Sequence, residues 1–162
     1  MERIIVLGIG NQLMMDDGIG IYLVEELAKL DQTSNIQYII GEADVDYCIE
    51  KIEEATFTII LDAVCSDKEI GDISIFSLAN LHEYQTLDIS PHNLHLFQVF
   101  YQQRKTIKGF LIGIEPYQIS FQIGLSQLIQ EKWNQILLGV HKNIVELIAQ
   151  EKEVSRSDEF VE

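Results

Sequence analysis

Residues 3–13, Arg-Ile-Ile-Val-Leu-Gly-Ile-Gly-Asn-Gln-Leu, combine a short aliphatic run with the glycines that end it. An unbroken run of this kind predicts a strand that is buried on both faces, as in a parallel sheet. We assign this first strand to residues 3–8. Similar runs, rich in β-branched or aromatic residues, predict four more strands at 36–40, 57–61, 73–76 and 107–114.

Segments with helical periodicity separate or follow these strands. An amphipathic helix is predicted to begin near Asp17, a weaker one to cover 45–54, and a third to follow His92. The clearest periodicity runs from Leu125 to Ile148. Because strands alternate with helices, we predict an α/β fold, a three-layer sandwich in which a twisted, mostly parallel five-stranded sheet lies between helices.

The length of 162 residues predicts one domain, which we assign to residues 1–150. Residues 151–162 are polar and acidic without periodicity, so we expect a mobile C-terminal tail there. Asp and Glu number 26 against 11 Lys plus Arg, which gives a formal charge of −15. This charge repels phosphate groups and argues against nucleic acid and anionic membranes as partners.

The sequence also predicts a compartment. The N-terminus has no basic segment followed by a long apolar run, and no stretch approaches the roughly 18 consecutive apolar residues of a membrane span. We therefore expect a cytoplasmic protein. Cys48 and Cys65 are far apart and outside any CxxC spacing, so we expect both to be reduced and partly buried.

Three potential metal ligands, Asp17, Asp62 and His92, lie just beyond strand ends or in loops. If the strand order is 2-1-3-4-5, a crevice opens between the carboxyl ends of the first and third strands. Asp17 and Asp62 would line this crevice, and the loop after the fourth strand would carry His92 to it. Two carboxylates and one imidazole make an incomplete site for a divalent transition metal. Such a site suggests a protein that meets its metal on a partner.

Each of these residues also has a structural alternative. Asp16 and Asp17 are suited to N-capping and to compensating a helix dipole, although Asp16 could also assist at the metal. Asp62 could turn the chain or cap a following helix. His92 could be a helix-cap or surface residue, and the leucines around His95 indicate a core or groove position for that imidazole.

Residues 8–13 resemble the opening of a dinucleotide-binding fingerprint, which makes a flavodoxin-like nucleotide-binding module an alternative. Leu13 stands where the third glycine would be, and the two aspartates behind it put negative charge where a pyrophosphate should lie. Covalent catalysis has less support, because nothing in the spacing of Cys65 and Ser66 supplies a base and an orienting group.

Five motifs follow one another along nearly the whole chain. They are Ile4-Ile5-Val6-Leu7-Gly8-Ile9-Gly10-Asn11 with Asp16-Asp17-Gly18-Ile19-Gly20, Leu61-Asp62-Ala63, Ile89-Ser90-Pro91-His92-Asn93-Leu94, Gly113-Ile114-Glu115-Pro116, and Ile123-Gly124-Leu125-Ser126. In this order they resemble the motifs of the hydrogenase maturation endopeptidases. The resemblance implies an enzyme that processes the large-subunit precursor of a nickel-iron hydrogenase, and it implies the same five-stranded sheet.

The family's metal-contacting residues fall on Asp17, Asp62 and His92. The resemblance implies that they recognise nickel already inserted in the precursor, after which a C-terminal extension is cut off. Nickel would then be carried by the substrate, where it polarises the scissile carbonyl or lowers the pKa of a bound water. A non-enzymatic nickel carrier or checkpoint protein would use the same ligands and is the main alternative.

The chain departs from the family pattern in two places. Relatives can carry glutamate at the position of Asp17, whose side chain is one methylene shorter. The loop after the second strand, Gly41-Glu42-Ala43-Asp44, lacks the paired glycines that relatives often have. The second difference bears on which hydrogenase is accepted.

Overall fold

The computed structural model describes residues 2–31, 35–83, 96–99 and 107–159. Its strands lie where the sequence predicts them, and only their ends differ. They are β1 (Ile4–Ile9), β2 (Ile36–Glu42), β3 (Phe57–Ala63), β4 (Ile73–Ser77) and β5 (Gly109–Ile114).

The strand order is β2-β1-β3-β5-β4, so the expected order 2-1-3-4-5 is wrong for the last two strands. β5 pairs in parallel with β3, and β4 pairs antiparallel to β5 at the edge of the sheet. Burial explains why β5, and not β4, lies next to β3. Residues of β4 alternate between buried and more exposed positions, whereas β5 is buried along most of its length. An alternation of buried and exposed residues is typical of an edge strand, and continuous burial is typical of a central strand. The reversal between β1 and β3, on which the predicted crevice depends, is present.

Helices cover both faces of the sheet. They are α1 (Ile19–Leu30), α2 (Val45–Glu54), α3 (described over 96–99), α4 (Gln127–Glu131) and α5 (Trp133–Glu159), with 3-10 turns at Met15–Gly18 and Leu78–Glu83. One hydrophobic core lies between the sheet and α1, α4 and α5, and a second lies between the sheet, α2 and α3. The predicted three-layer α/β sandwich is therefore confirmed.

The helices in the C-terminal part of the chain differ from those predicted. The helical pattern that begins at Leu125 forms two helices, α4 and α5, and α5 continues to Glu159. Residues 151–159, expected to lack regular structure, are thus helical. Polar residues such as Glu, Lys and Arg have good helix propensity, and no Gly or Pro interrupts the chain after Gly139. Within the described ranges, no helix has the length and apolar character needed to cross a bilayer.

Glycines bring the start of α1 onto the carboxyl ends of β1 and β3. A Cβ atom at Gly20 would collide with the carbonyl oxygen of Leu61 and lie 2.8 Å from that of Ile9, and one at Gly8 would collide with the carbonyl oxygen of Gly20. Only a residue without a side chain allows this approach. The turn that precedes α1 is therefore held at the edge where β3 ends.

Candidate functional site

Asp62 is the one charged residue in the fully buried strand β3, which is otherwise apolar except for Thr58. It lies near the carboxyl end of the strand, beside Gly113 of β5, and its side chain is 0% exposed. Its Oδ1 accepts a hydrogen bond from the N–H of Ala63 at 2.8 Å, which orients the carboxylate. A carboxylate costs free energy at such a position, where an apolar residue would not. This cost is expected of a functional group rather than of a packing residue.

Asp17 lies in the 3-10 turn Met15–Gly18 and is only 4% exposed. Its Oδ2 accepts a hydrogen bond from the backbone N–H of Asn11 at 3.1 Å. Gly10 has a φ of 133°, and a Cβ atom there would collide with the carbonyl oxygen of Asp17. The glycine loop after β1 therefore wraps around the Asp17 turn. Gly10 therefore serves a contact within the chain.

The structure brings Asp17 and Asp62 to the same edge of the sheet. The Met15–Gly18 turn and α1 both pack against β3, at whose carboxyl end Asp62 lies. His92 and His95 fall outside the described residues. Among the residues that are described, no group of three His, Cys, Asp or Glu side chains could hold a metal ion. Asp17 and Asp62 are thus two recessed carboxylates at the edge of the sheet where β3 ends.

The N-capping alternative is wrong for both aspartates. Met14 is the N-cap residue of the 3-10 turn and Gly18 is that of α1, and neither cap is made by a side chain. Asp16 and Asp17 lie inside the turn and are buried. Their carboxylates are therefore available for contacts with more distant parts of the chain.

Asp16 has a structural role that the sequence did not reveal. Its Oδ1 accepts a hydrogen bond from the N–H of Ser126 at 2.7 Å. Its Oδ2 accepts from the hydroxyl of Ser126 at 2.7 Å and from the N–H groups of Tyr117 and Gln118 at 3.0 Å each. This carboxylate holds both ends of the segment that joins β5 to α4. Ser126 belongs to the motif Ile123-Gly124-Leu125-Ser126, but nothing in the sequence connects that motif with Asp16.

A second carboxylate supports the loop after Asp62. Glu115, directly after β5, is 8% exposed. It accepts hydrogen bonds from the backbone N–H of Ser66 at 2.9 Å and from the Ser66 hydroxyl at 3.0 Å. Ser66 is thereby fixed as a hydrogen-bond donor in the loop that leaves β3. Sequence reasoning assigned no role to Glu115, although it belongs to the motif Gly113-Ile114-Glu115-Pro116.

The two cysteines are free, as predicted. Cys48 is buried and lies beneath the loop after β2, where its thiol donates to the carbonyl oxygen of Gly41 at 3.6 Å. Burial, together with the negative charge of Asp44, raises the pKa of the Cys48 thiol to about 12. The thiol therefore stays protonated at neutral pH and is a poor nucleophile.

Comparison with known proteins gives the family. The model of the hydrogenase maturation protease family matches residues 21–143. The chain belongs to this family. The hydrogenase 2 maturation protease of Escherichia coli K12 is 31% identical over 160 residues, which cover 92% of this chain and 97% of that protein.

Solved structures of hydrogenase maturation proteases have the same fold. The hydrogenase maturating endopeptidase HybD from E. coli superposes with a TM-score of 0.71 at 27% identity, over 89% of this chain and 93% of that one. An endopeptidase from E. coli gives a TM-score of 0.69 at 26% identity, over 85% and 89%. The resemblance inferred from the motifs is confirmed. This hydrogenase maturation protease is a peptidase rather than a non-enzymatic carrier or a nucleotide-binding module.

Proposed function

We propose that this protease removes the C-terminal extension from the nickel-loaded large-subunit precursor of a nickel-iron hydrogenase, and that Asp17, Asp62 and His92 recognise the nickel. The observation that carries the proposal is the pair of buried aspartates, Asp17 in the turn before α1 and Asp62 near the carboxyl end of β3. Membership of the hydrogenase maturation protease family supports the reaction class.

Nickel is part of the substrate in this proposal. Two carboxylates and an imidazole are hard and borderline ligands that suit a divalent transition metal with open coordination positions. The burial of Asp17 and Asp62 strengthens their attraction for a cation, because charges interact more strongly away from bulk water. A precursor without metal would leave the two carboxylates without this counter-charge. The protease would therefore act only after nickel insertion.

The chemistry is hydrolysis of one peptide bond. The substrate's nickel acts as a Lewis acid on the scissile carbonyl or on a bound water. The chain's own residues hold that ion close to the peptide bond that is cut. Asp62 is oriented by the N–H of Ala63 and Asp17 by that of Asn11, so neither carboxylate needs to reorganise when the substrate arrives.

Substitution of two of the proposed ligands tests this function. Asp62→Asn keeps an acceptor for the Ala63 N–H and removes the charge, and His92→Ala removes the imidazole. We expect each to reduce processing of the nickel-loaded precursor by at least about a hundredfold, with unchanged far-UV circular dichroism. Intact mass spectrometry of the precursor measures the loss of the C-terminal segment.

Asp158→Asn is the matched control, because Asp158 is exposed on α5 and the substitution removes the same charge. We expect this variant to process at the wild-type rate. Wild-type processing by Asp62→Asn or His92→Ala would refute the assigned site. A stable complex of the wild-type protein with the nickel-loaded precursor, formed without cleavage, would refute the proposed reaction.

A further inference from the structure

Five large apolar side chains are exposed next to the candidate site. Their exposed fractions are 47% for Leu13, 52% for Tyr117, 44% for Ile119, 81% for Phe121 and 74% for Ile123. We call this set the apolar patch. Soluble proteins rarely expose neighbouring apolar residues of this size without a binding role.

Backbone hydrogen bonds join the two segments that carry the patch. The N–H of Gln122 donates to the carbonyl oxygen of Leu13, and the N–H of Met15 donates to that of Gln122, both at 2.9 Å. Leu13 therefore lies alongside the 117–123 segment. The hydroxyl of Ser120 also contacts the Met15 sulfur at 3.0 Å. The patch is held on the turn that carries Asp17.

Hydrogen bonds of Asp16 connect the patch to the candidate site. Its carboxylate binds the N–H of Tyr117 at one end of the segment and both polar groups of Ser126 at the other. The next residue, Asp17, is one of the two carboxylates of the proposed metal site. A partner that rests on the patch is thereby positioned relative to the metal site by one short stretch of backbone.

The patch also differs in charge from the rest of the molecule. The chain carries a formal charge of −15, yet no residue from 116 to 130 and none from 4 to 15 is charged. A second copy of this chain would bring an equal negative charge, which disfavours self-association. A different protein that presents an apolar surface avoids this repulsion. Depletion of charge at the centre of a contact area is typical of protein interfaces.

We propose that the apolar patch is the docking surface for the hydrogenase large-subunit precursor. The patch binds an apolar area on the folded body of the precursor, while the precursor's metal enters between Asp17 and Asp62. This inference rests on the proposed function and adds to it a site of substrate recognition that is separate from the metal ligands. Phe121 and Ile123, the most exposed members, are expected to contribute most of the affinity.

The test is a double substitution, Phe121→Gln with Ile123→Gln, in the full chain. We expect the dissociation constant for the precursor to rise at least about tenfold. The rise should be similar for nickel-loaded and metal-free precursor, because the patch touches protein rather than metal. In processing assays KM should rise while kcat at saturating precursor stays within about twofold. The variant Phe121→Leu, which keeps an apolar side chain, should retain most of the affinity.

Leu30→Gln is the matched control. Leu30 is 60% exposed at the last position of α1, the end away from Asp17. We expect Leu30→Gln to bind precursor like the wild type and all variants to have wild-type thermal unfolding. Equal precursor affinity of the wild type and the double variant would overturn the proposal, as would an equal loss in Leu30→Gln.

The same proteins distinguish the other outcomes. Sedimentation analysis that shows a wild-type dimer and a monomeric double variant, with unchanged precursor affinity, would assign the patch to self-association and overturn the proposal. Failure of the wild type to cut nickel-loaded precursor would refute the proposed function instead. Binding to metal-free precursor involves no cleavage, so it measures docking separately from that function.

Discussion

Asp16 and Asp17 are neighbours in one short turn, and both are buried, yet their carboxylates have different surroundings. Asp16 accepts hydrogen bonds from Tyr117, Gln118 and Ser126 and fixes the segment that carries the apolar patch. Asp17 accepts from the N–H of Asn11 and lies in the turn that packs on β3 near Asp62. An aspartate at position 16 thus holds a loop, whereas an aspartate at position 17 belongs to the proposed metal site. Substitution should separate the two roles.

The largest effect should come from Asp17→Asn. The amide oxygen can still accept from the Asn11 N–H, so the turn should be preserved. Loss of the charge should reduce processing of the nickel-loaded precursor by at least about a hundredfold. The free energy of unfolding, measured in urea, should change by less than about 1 kcal/mol. Wild-type processing by this variant would remove Asp17 from the site.

Asp16→Asn should lower the free energy of unfolding rather than the rate of processing. Both oxygens of Asp16 accept hydrogen bonds, so an amide nitrogen must face an N–H or hydroxyl group where a carboxylate oxygen now lies. We expect a loss of about 2–4 kcal/mol in the free energy of unfolding, seen as a lower urea midpoint. The folded fraction should still process the precursor. A variant as stable as the wild type would show that these hydrogen bonds do not support the fold.

Ser126→Ala should give the smallest effect of the three. The hydroxyl donates to Asp16 at 2.7 Å and accepts from the N–H of Ile129 at 3.4 Å as the N-cap of α4. Its removal leaves the Ser126 backbone N–H bound to Asp16. We expect a loss of about 1–2 kcal/mol, measured by urea unfolding. A loss larger than that of Asp16→Asn would contradict the view that the carboxylate is the centre of this network.

The contrast between these regions also explains what the sequence could predict. Strands and most helices follow from local apolar runs and periodicity, and Asp62 is conspicuous because it interrupts such a run near a strand end. The role of Asp16 could not be predicted, because its donors lie 101 to 110 residues away. Glu115 and Ser66 are likewise separated by 49 residues. Contacts of this range depend on the whole fold.

The order of the last two strands has only a weak local signal in the sequence. β5 is apolar throughout apart from its glycines, as suits a central strand, whereas β4, Ile73-Ser74-Ile75-Phe76-Ser77, contains two serines but does not alternate strictly. The length of α5 had no such signal. Its last turns are polar and largely exposed, so no apolar stripe marks them in the sequence.

A crystal structure of the protein soaked in cadmium, a surrogate for nickel, would show whether Asp17, Asp62 and His92 contact one divalent ion. We expect one cadmium ion at bonding distance, about 2 to 2.5 Å, from a carboxylate oxygen of each aspartate and from an imidazole nitrogen of His92. Cadmium bound only elsewhere, or these three side chains divided between separate ions, would contradict this expectation.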